Sequence, residues 1–306
     1  MKRQIYTLIL LFVITIPVLK AEEKRILTSD GVELFVTVKG KGIPCLYIHG
    51  GPGSGAYWLE AFSGNMLEQH MQMIYLDQRG VSRSSSPKNK DYSMDRMLKD
   101  FEEVRSALNI DKWIVLGHSF GGGIQTAYAA KYPNAVSGMI MLNTTINISE
   151  SLKGTIEYTK NHTKGQDFSF VNDTTLKPMQ KMGRCMNLLG ENVYKLFYRE
   201  KSSSDTMDSV MNRIENWNGD FSSSVNDYPE YFQNFAPLTV SIKVPVLVFS
   251  GNTDYAIGPE HYKLMKFKKM MLYKADVGHL PFIEAKQDLE TAINAYLKKY
   301  FKVKLT

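Results

Sequence analysis

V-L-G-H-S-F-G-G-G, residues 115–123, decides how the rest of the chain is read. Gly117, Ser119 and Gly121 satisfy the spacing G-x-S-x-G. The apolar run Trp113–Leu116 comes directly before them, and a helix-compatible segment, Phe120–Tyr132, directly after. Strand, tight turn and helix in that order are the setting in which a serine is lifted onto a strained corner, its hydroxyl clear of the sheet. Glycines let strand and helix approach, and the N–H of Phe120 faces the same space. The plainer reading is a Gly-rich turn with an incidental serine; the coincidence of spacing, strand and helix favours a nucleophile.

Outward from this corner the apolar period repeats. Cys45–Ile48, Met73–Leu76, Val136–Leu142 and Val244–Phe249 are short continuous apolar runs, the pattern of strands covered on both faces. Helix-compatible stretches separate them at Ala56–His70, Met94–Leu108 and Pro259–Lys266, and a last strand near Met271–Lys274 precedes a helix near Lys286–Phe301. Val32–Val38 alternates apolar and polar, as a half-buried antiparallel strand would. The fold class is therefore α/β, with a mostly parallel central sheet and helices on both faces. The alternation stops between about Thr145 and Ala236. That stretch is expected to be a largely helical cap inserted into the core, with the serine triplets Ser202–Ser204 and Ser222–Ser224 as loops. The core is thus expected over 22–144 and 237–306, with the cap over 145–236.

The chain has 306 residues, 43% hydrophobic and 22% charged, an ordinary globular composition. Its formal charge of +6 includes Lys2, Arg3 and Lys20 at the extreme N-terminus. No Lys/Arg run is interleaved with aromatics, so nucleic acid is not an expected partner. Lys2 and Arg3 precede an apolar run from Ile5 to Leu19 that ends at Ala21 before Glu22-Glu23-Lys24-Arg25. This order reads as a secretory signal peptide over 1–21 and a secreted or periplasmic protein; retention as an uncleaved anchor is the lesser reading. Cys45 and Cys185 are expected to be unpaired, Cys45 lying in a buried strand.

A serine nucleophile needs a base, and the base an orienting carboxylate. Of six histidines, His49 and His118 lie inside glycine-rich turns, and His70, His162 and His261 follow no strand. His279, in A-D-V-G-H-L-P, sits just after the last strand, where the base belongs in the order serine, acid, histidine. Asp254 follows the strand V-L-V-F-S-G and is the favoured acid; Asp276, three residues before His279, is the rival.

The loop I-H-G-G-P-G-S-G, residues 48–55, remains. No lysine follows Gly55, which excludes a Walker loop. A proline lies inside the turn and no acidic residue closes the next strand at the required distance, which argues against dinucleotide binding. Placed after an early strand, the loop suits the second half of an oxyanion hole, the N–H of Gly51 joining that of Phe120. Neither metal nor cofactor is implied, because H-E-x-x-H and paired cysteines are lacking and a Ser-His-Asp site requires neither.

H-G-G-P-G (His49–Gly53), D-Q-R-G (Asp77–Gly80), G-x-S-x-G at Ser119, G-N-T-D at Asp254 and G-H at His279 together resemble the α/β-hydrolases of the proline iminopeptidase type. The resemblance covers essentially the whole chain beyond the leader. It implies a serine aminopeptidase that releases proline or another small N-terminal residue from short peptides. R-I-E-N (Arg213–Asn216) resembles the cap segment that holds a glutamate for the substrate's ammonium, which makes Glu215 the implied substrate-binding residue. A carboxylate in a poorly solvated pocket would read that charge well. The sequence departs from the family pattern at Ser82, where glycine is usual, and its elbow lacks the usual Gly and Trp beside the serine. The tail G-H-L-P-F-I-E is as similar to esterases and C–C hydrolases, so a carboxylesterase using the same three residues is the alternative.

Overall fold

Eight strands form one sheet in the order β1-β2-β4-β3-β5-β6-β7-β8. The structure, a computed structural model, describes residues 22–304 apart from Asn212, so the expected leader lies outside the described residues. The strands are β1 (Glu22–Leu27), β2 (Glu33–Lys39), β3 (Ile43–Ile48), β4 (Met71–Leu76), β5 (Trp113–Ser119), β6 (Val136–Thr144), β7 (Val246–Gly251) and β8 (Met270–Ala275). β2 is antiparallel to β1 and β4, and every later pairing is parallel. The strand order matters for the site. β4 lies on one side of β3 and β5 on the other, so the chain changes direction between β3 and β5. The loops leaving those two strands open a crevice at the carboxyl edge, the usual ligand position in such sheets.

The central strands are buried on both faces because consecutive side chains enter different cores. Val115, Met139 and Val248 face α2 (Met94–Ala107) and α3 (Gly121–Lys131). Their neighbours Leu116, Ile140 and Leu247 face α1 (Tyr57–Leu67) and the C-terminal helix Lys286–Phe301. Each side chain so buried contributes roughly 1.5–3 kcal/mol. The continuous apolar runs read from the sequence follow from this double coverage. β2 is more covered than its alternation suggests: Leu34, Phe35, Val36 and Thr37 are all buried, with the guanidinium of Arg83 4.0 Å above the Phe35 ring. Cys45 on β3 and Cys185 in the insertion are both buried and unpaired.

Between β6 and β7 the chain is helical: α4 (Ile148–His162), α5 (Pro178–Leu189), α6 (Lys201–Met211) and α7 (Asp220–Ser224), joined by 3-10 turns. Two serine triplets expected as loops lie instead inside α6 and α7. Serine has only a mild bias against helix, and burial of Met207, Val210 and Phe221 decides these segments. Conversely, the helix expected at Pro259–Lys266 is a single 3-10 turn, His261–Leu264. The chain then closes with α8 (Pro281–Glu284) and α9 (Lys286–Phe301).

Candidate active site

Ser119 ends β5 with φ +53°, inside the left-handed region that non-glycine residues avoid at a cost of about 1–2 kcal/mol. Close packing around it holds that conformation. A Cβ on Gly121 would stand 2.3 Å from the carbonyl oxygen of Ile48, and one on Gly50 would stand 2.6 Å from Cβ of Ser119. Only glycine permits the elbow and the 48–55 loop to approach so closely.

The structure brings Ser119, His279 and Asp254 together. Ser119 Oγ is 2.8 Å from His279 Nε2, and His279 Nδ1 is 2.9 Å from Asp254 Oδ2. Asp254 is buried, and its Oδ1 accepts the N–H groups of Ala256 and Ile257 at 3.1 and 3.2 Å. That fixes the carboxylate with its other oxygen toward the imidazole. Asp276, the rival acid, is exposed and pairs with Arg199 at 2.9 Å. Gly51 and Phe120 flank Ser119, and among the described residues neither N–H is engaged by a protein acceptor.

Further contacts hold the His279 loop. Asn143, at the end of β6 with φ +43°, donates from Nδ2 to the carbonyl of Gly278 at 2.6 Å and accepts the Gly251 N–H at 3.1 Å. One amide thus joins the loop carrying Asp254 to the loop carrying His279. His118 Nε2 lies 2.9 Å from the carbonyl oxygen of His279 and donates to it in the tautomer with hydrogen on Nε2. Burial, with His279 next to it, holds the His118 pKa down to about 3, so this imidazole is neutral. The insertion contributes as well. The His279 N–H donates to Phe197 O at 2.6 Å, and Glu284 accepts both the Gly278 N–H at 3.1 Å and the Arg199 N–H at 2.9 Å. Asn143 and Glu284 escaped the sequence reading; an Asn ending an apolar strand was the one visible hint.

D-Q-R-G acts as scaffold for the glycine loop. Asp77 accepts the Ala56 N–H at 2.8 Å and the Arg83 Nε–H at 2.6 Å. Gln78 grips His49 twice, its backbone N–H donating to the ring and its side chain donating to the carbonyl of His49. Arg79 is buried in ion pairs with Asp100 at 2.5 Å and Asp30 at 3.0 Å. Ser82, standing where the resemblance would have glycine, adopts φ +53° and bridges backbone to backbone with Asn218 at 2.8 and 3.0 Å.

The cavity around Ser119 and His279 has two lobes. The larger, about 360 Å³, is lined by Trp58, Phe197, Tyr198, Met207, Met211 and Phe282 among others. The smaller, about 70 Å³, lies beneath Met179, Met182 and Met186 of α5, with Ile148 and Ile257. Among the described residues lining either lobe none is acidic. Glu215 lies elsewhere: it is exposed, in a bend after α6, and lines neither lobe. The poorly solvated setting expected for it is not what the structure gives, because Arg213, Glu215 and Asn216 are all exposed. Met179, Met182 and Met186 have the spacing i, i+3, i+7, which a sequence shows without showing what the face covers.

An eight-stranded sheet of this order, with a serine elbow after its central strand and a helical insertion after β6, defines an α/β-hydrolase. Residues 44–286 match the alpha/beta hydrolase fold family, and the chain belongs to it. It is 31% identical to a proline iminopeptidase of Flavobacterium johnsoniae, over 50% of this chain and 52% of that one. It is 29% identical to Lipase 1 of Psychrobacter immobilis, over 89% of this chain and 82% of that one. A proline iminopeptidase-related protein of Thermus thermophilus has the same fold, with a TM-score of 0.77 at 18% identity, covering 92% of this chain and 98% of that one. The chain is a hydrolase of this family, with peptidases and lipases both among its relatives.

Proposed function

We propose that the protein is a serine hydrolase working through an acyl-enzyme on small neutral esters with apolar substituents. The observation that carries this is the Ser119–His279–Asp254 hydrogen-bond chain opening into a cavity among whose described lining residues none is acidic. Ser119 Oγ attacks the ester carbonyl while His279 Nε2 takes its proton, and Asp254 holds the imidazole in the tautomer with hydrogen on Nδ1. The N–H groups of Gly51 and Phe120 stabilise the oxyanion. The bond to the alcohol breaks as His279 returns the proton to the departing oxygen. Water then repeats the sequence on the acyl-enzyme and releases the acid.

A second reading, an aminopeptidase releasing N-terminal proline or a similarly small residue, draws on H-G-G-P-G with D-Q-R-G and on the Flavobacterium relative. There Glu215 would meet the substrate's ammonium, which requires the 213–216 bend to fold over the cavity. The test compares prolyl p-nitroanilide with p-nitrophenyl acetate on wild type and Glu215→Ala. The ester reading expects acetate turnover that the substitution leaves intact. Prolyl turnover exceeding ester turnover, and lost in Glu215→Ala, would overturn it. Labelling of Ser119 by a fluorophosphonate checks the nucleophile separately. The basic, then apolar N-terminus further supports export, which N-terminal sequencing of the mature protein would test.

A further inference from the structure

The two lobes meet only at the reacting centre. Gly51, Ser119, Phe197 and His279 border both, and every other lining residue belongs to one or the other. A substrate whose carbonyl carbon lies against Ser119 Oγ therefore sends its two substituents into spaces of very different size.

We propose that the lobes divide the substrate by size: the small lobe takes a short acyl chain, with Met182 and its neighbours on α5 as the stop, and the large lobe takes a bulky apolar, preferably aromatic, alcohol. This rests on the ester reading above and specifies its substrate. The assignment of sides follows from the order of events. The alcohol must leave before water attacks, whereas the acyl group stays attached to Ser119. Met211, 43% exposed, stands at the rim of the large lobe and marks its way out to solvent. The small lobe is floored by Phe120 and Ile257, both buried, and roofed by the α5 methionines. Phe120, whose N–H faces the oxyanion, lines the small lobe alone.

Volume sets the limit. The small lobe, at about 70 Å³ against about 360 Å³, is about a fifth of the large one, so it takes the shorter of the two substituents. The large lobe, at about 360 Å³, falls in the range of small-molecule sites and admits a fused aromatic ring. Its aromatic wall of Trp58, Phe197, Tyr198 and Phe282 offers stacking faces to such a ring. Apart from Ser119, His279 and the hydrogen-bonded pair Ser151 and Thr145, 2.8 Å apart, the residues lining the small lobe are apolar, which favours an apolar acyl group. Met179, Met182 and Met186 lie on one face of α5 by helical spacing and are only half-buried, so truncating one opens the lobe without removing a core side chain.

The test varies the two sides of the ester independently. Wild type is assayed on p-nitrophenyl acetate, butyrate, hexanoate and octanoate, and then on ethyl, phenyl and 2-naphthyl acetates. The expected result is a fall in kcat/KM of at least about tenfold between butyrate and octanoate, with naphthyl acetate among the better acetates. Met182→Ala should raise octanoate turnover about tenfold and leave the order of the three acetates alone, while Met182→Leu keeps the acyl cut-off of wild type. An acyl profile that is flat in wild type, or a Met182→Ala variant that alters alcohol preference and not acyl preference, overturns the division of lobes and leaves the ester reading standing. No turnover of any ester, with prolyl p-nitroanilide cleaved, overturns both.

Discussion

Replacing Asn143 tests how the acid and base loops are held together. Its side chain satisfies two buried backbone groups, the Gly278 carbonyl at 2.6 Å and the Gly251 N–H at 3.1 Å. In Asn143→Ala both are left unpaired, at roughly 1–3 kcal/mol each, and alanine at φ +43° adds about 1 kcal/mol that asparagine largely escapes. The expected loss is about 3–7 kcal/mol, a large part of the roughly 5–15 kcal/mol that stabilises a folded domain. At about 2 °C per kcal/mol for a chain of this length, Tm should fall by roughly 6–14 °C. Asn143→Gly removes the same two bonds without the backbone penalty, so it should lie about 1 kcal/mol above the alanine variant. Activity should respond as well, because Gly278 precedes His279 and the Gly251 turn leads to Asp254. A displacement of 1 Å between them lowers kcat by about 10²-fold, measured where the variant is still folded. An alanine variant within about 1 kcal/mol of wild type by urea denaturation, with wild-type kcat on p-nitrophenyl acetate, would refute this account of the loops.

Three further outcomes are expected. Asp254→Asn keeps the shape of the site but presents an N–H to His279 Nδ1, reversing the tautomer, so kcat should fall about 10³–10⁴-fold with little change in Tm; steady-state kinetics and calorimetry check this together. Gly50→Ala forces a Cβ against Ser119 and should cost far more in kcat than in urea midpoint, since the displaced atoms belong to the elbow. Acid should destabilise the protein before its carboxylates titrate: burial holds His49 and His261 down to about 4 and His118 down to about 3. Below pH 6.5 the unfolded chain protonates these imidazoles and the folded chain does not, so stability present above pH 6.5 is lost progressively as the pH falls toward those values. The loss is roughly 3 kcal/mol each for His49 and His261 once pH 4 is reached, and equal urea midpoints at pH 7 and pH 5 would contradict it.

The sheet was legible because its central strands are covered twice. Runs such as Val246–Phe249 carry no polar residue, and the elbow fixes their direction. β1 was not legible: E-E-K-R-I-L is an edge strand with mostly exposed side chains, so pairing with β2 and not burial makes it a strand. The order of Ser119, Asp254 and His279 along the chain could be read, since each follows a strand end. The surroundings of Glu215 could not. Whether a glutamate in a helical insertion faces a cavity or solvent depends on how α6 and the following bend pack, and no local period records that. The α5 methionines show the converse: their spacing was visible, but only the docking of α5 over the elbow gives it meaning.

The backbone bond from His279 to Phe197 and the N–H groups of Gly278, Arg199 and Glu200 received by Glu284 stitch residues 197–200 of the insertion to the histidine loop. A hinge at that seam would therefore move the His279 loop in the act of opening the cavity. The insertion is thus part of what positions His279, and a foreign cap grafted in its place would need its own strap to the same histidine.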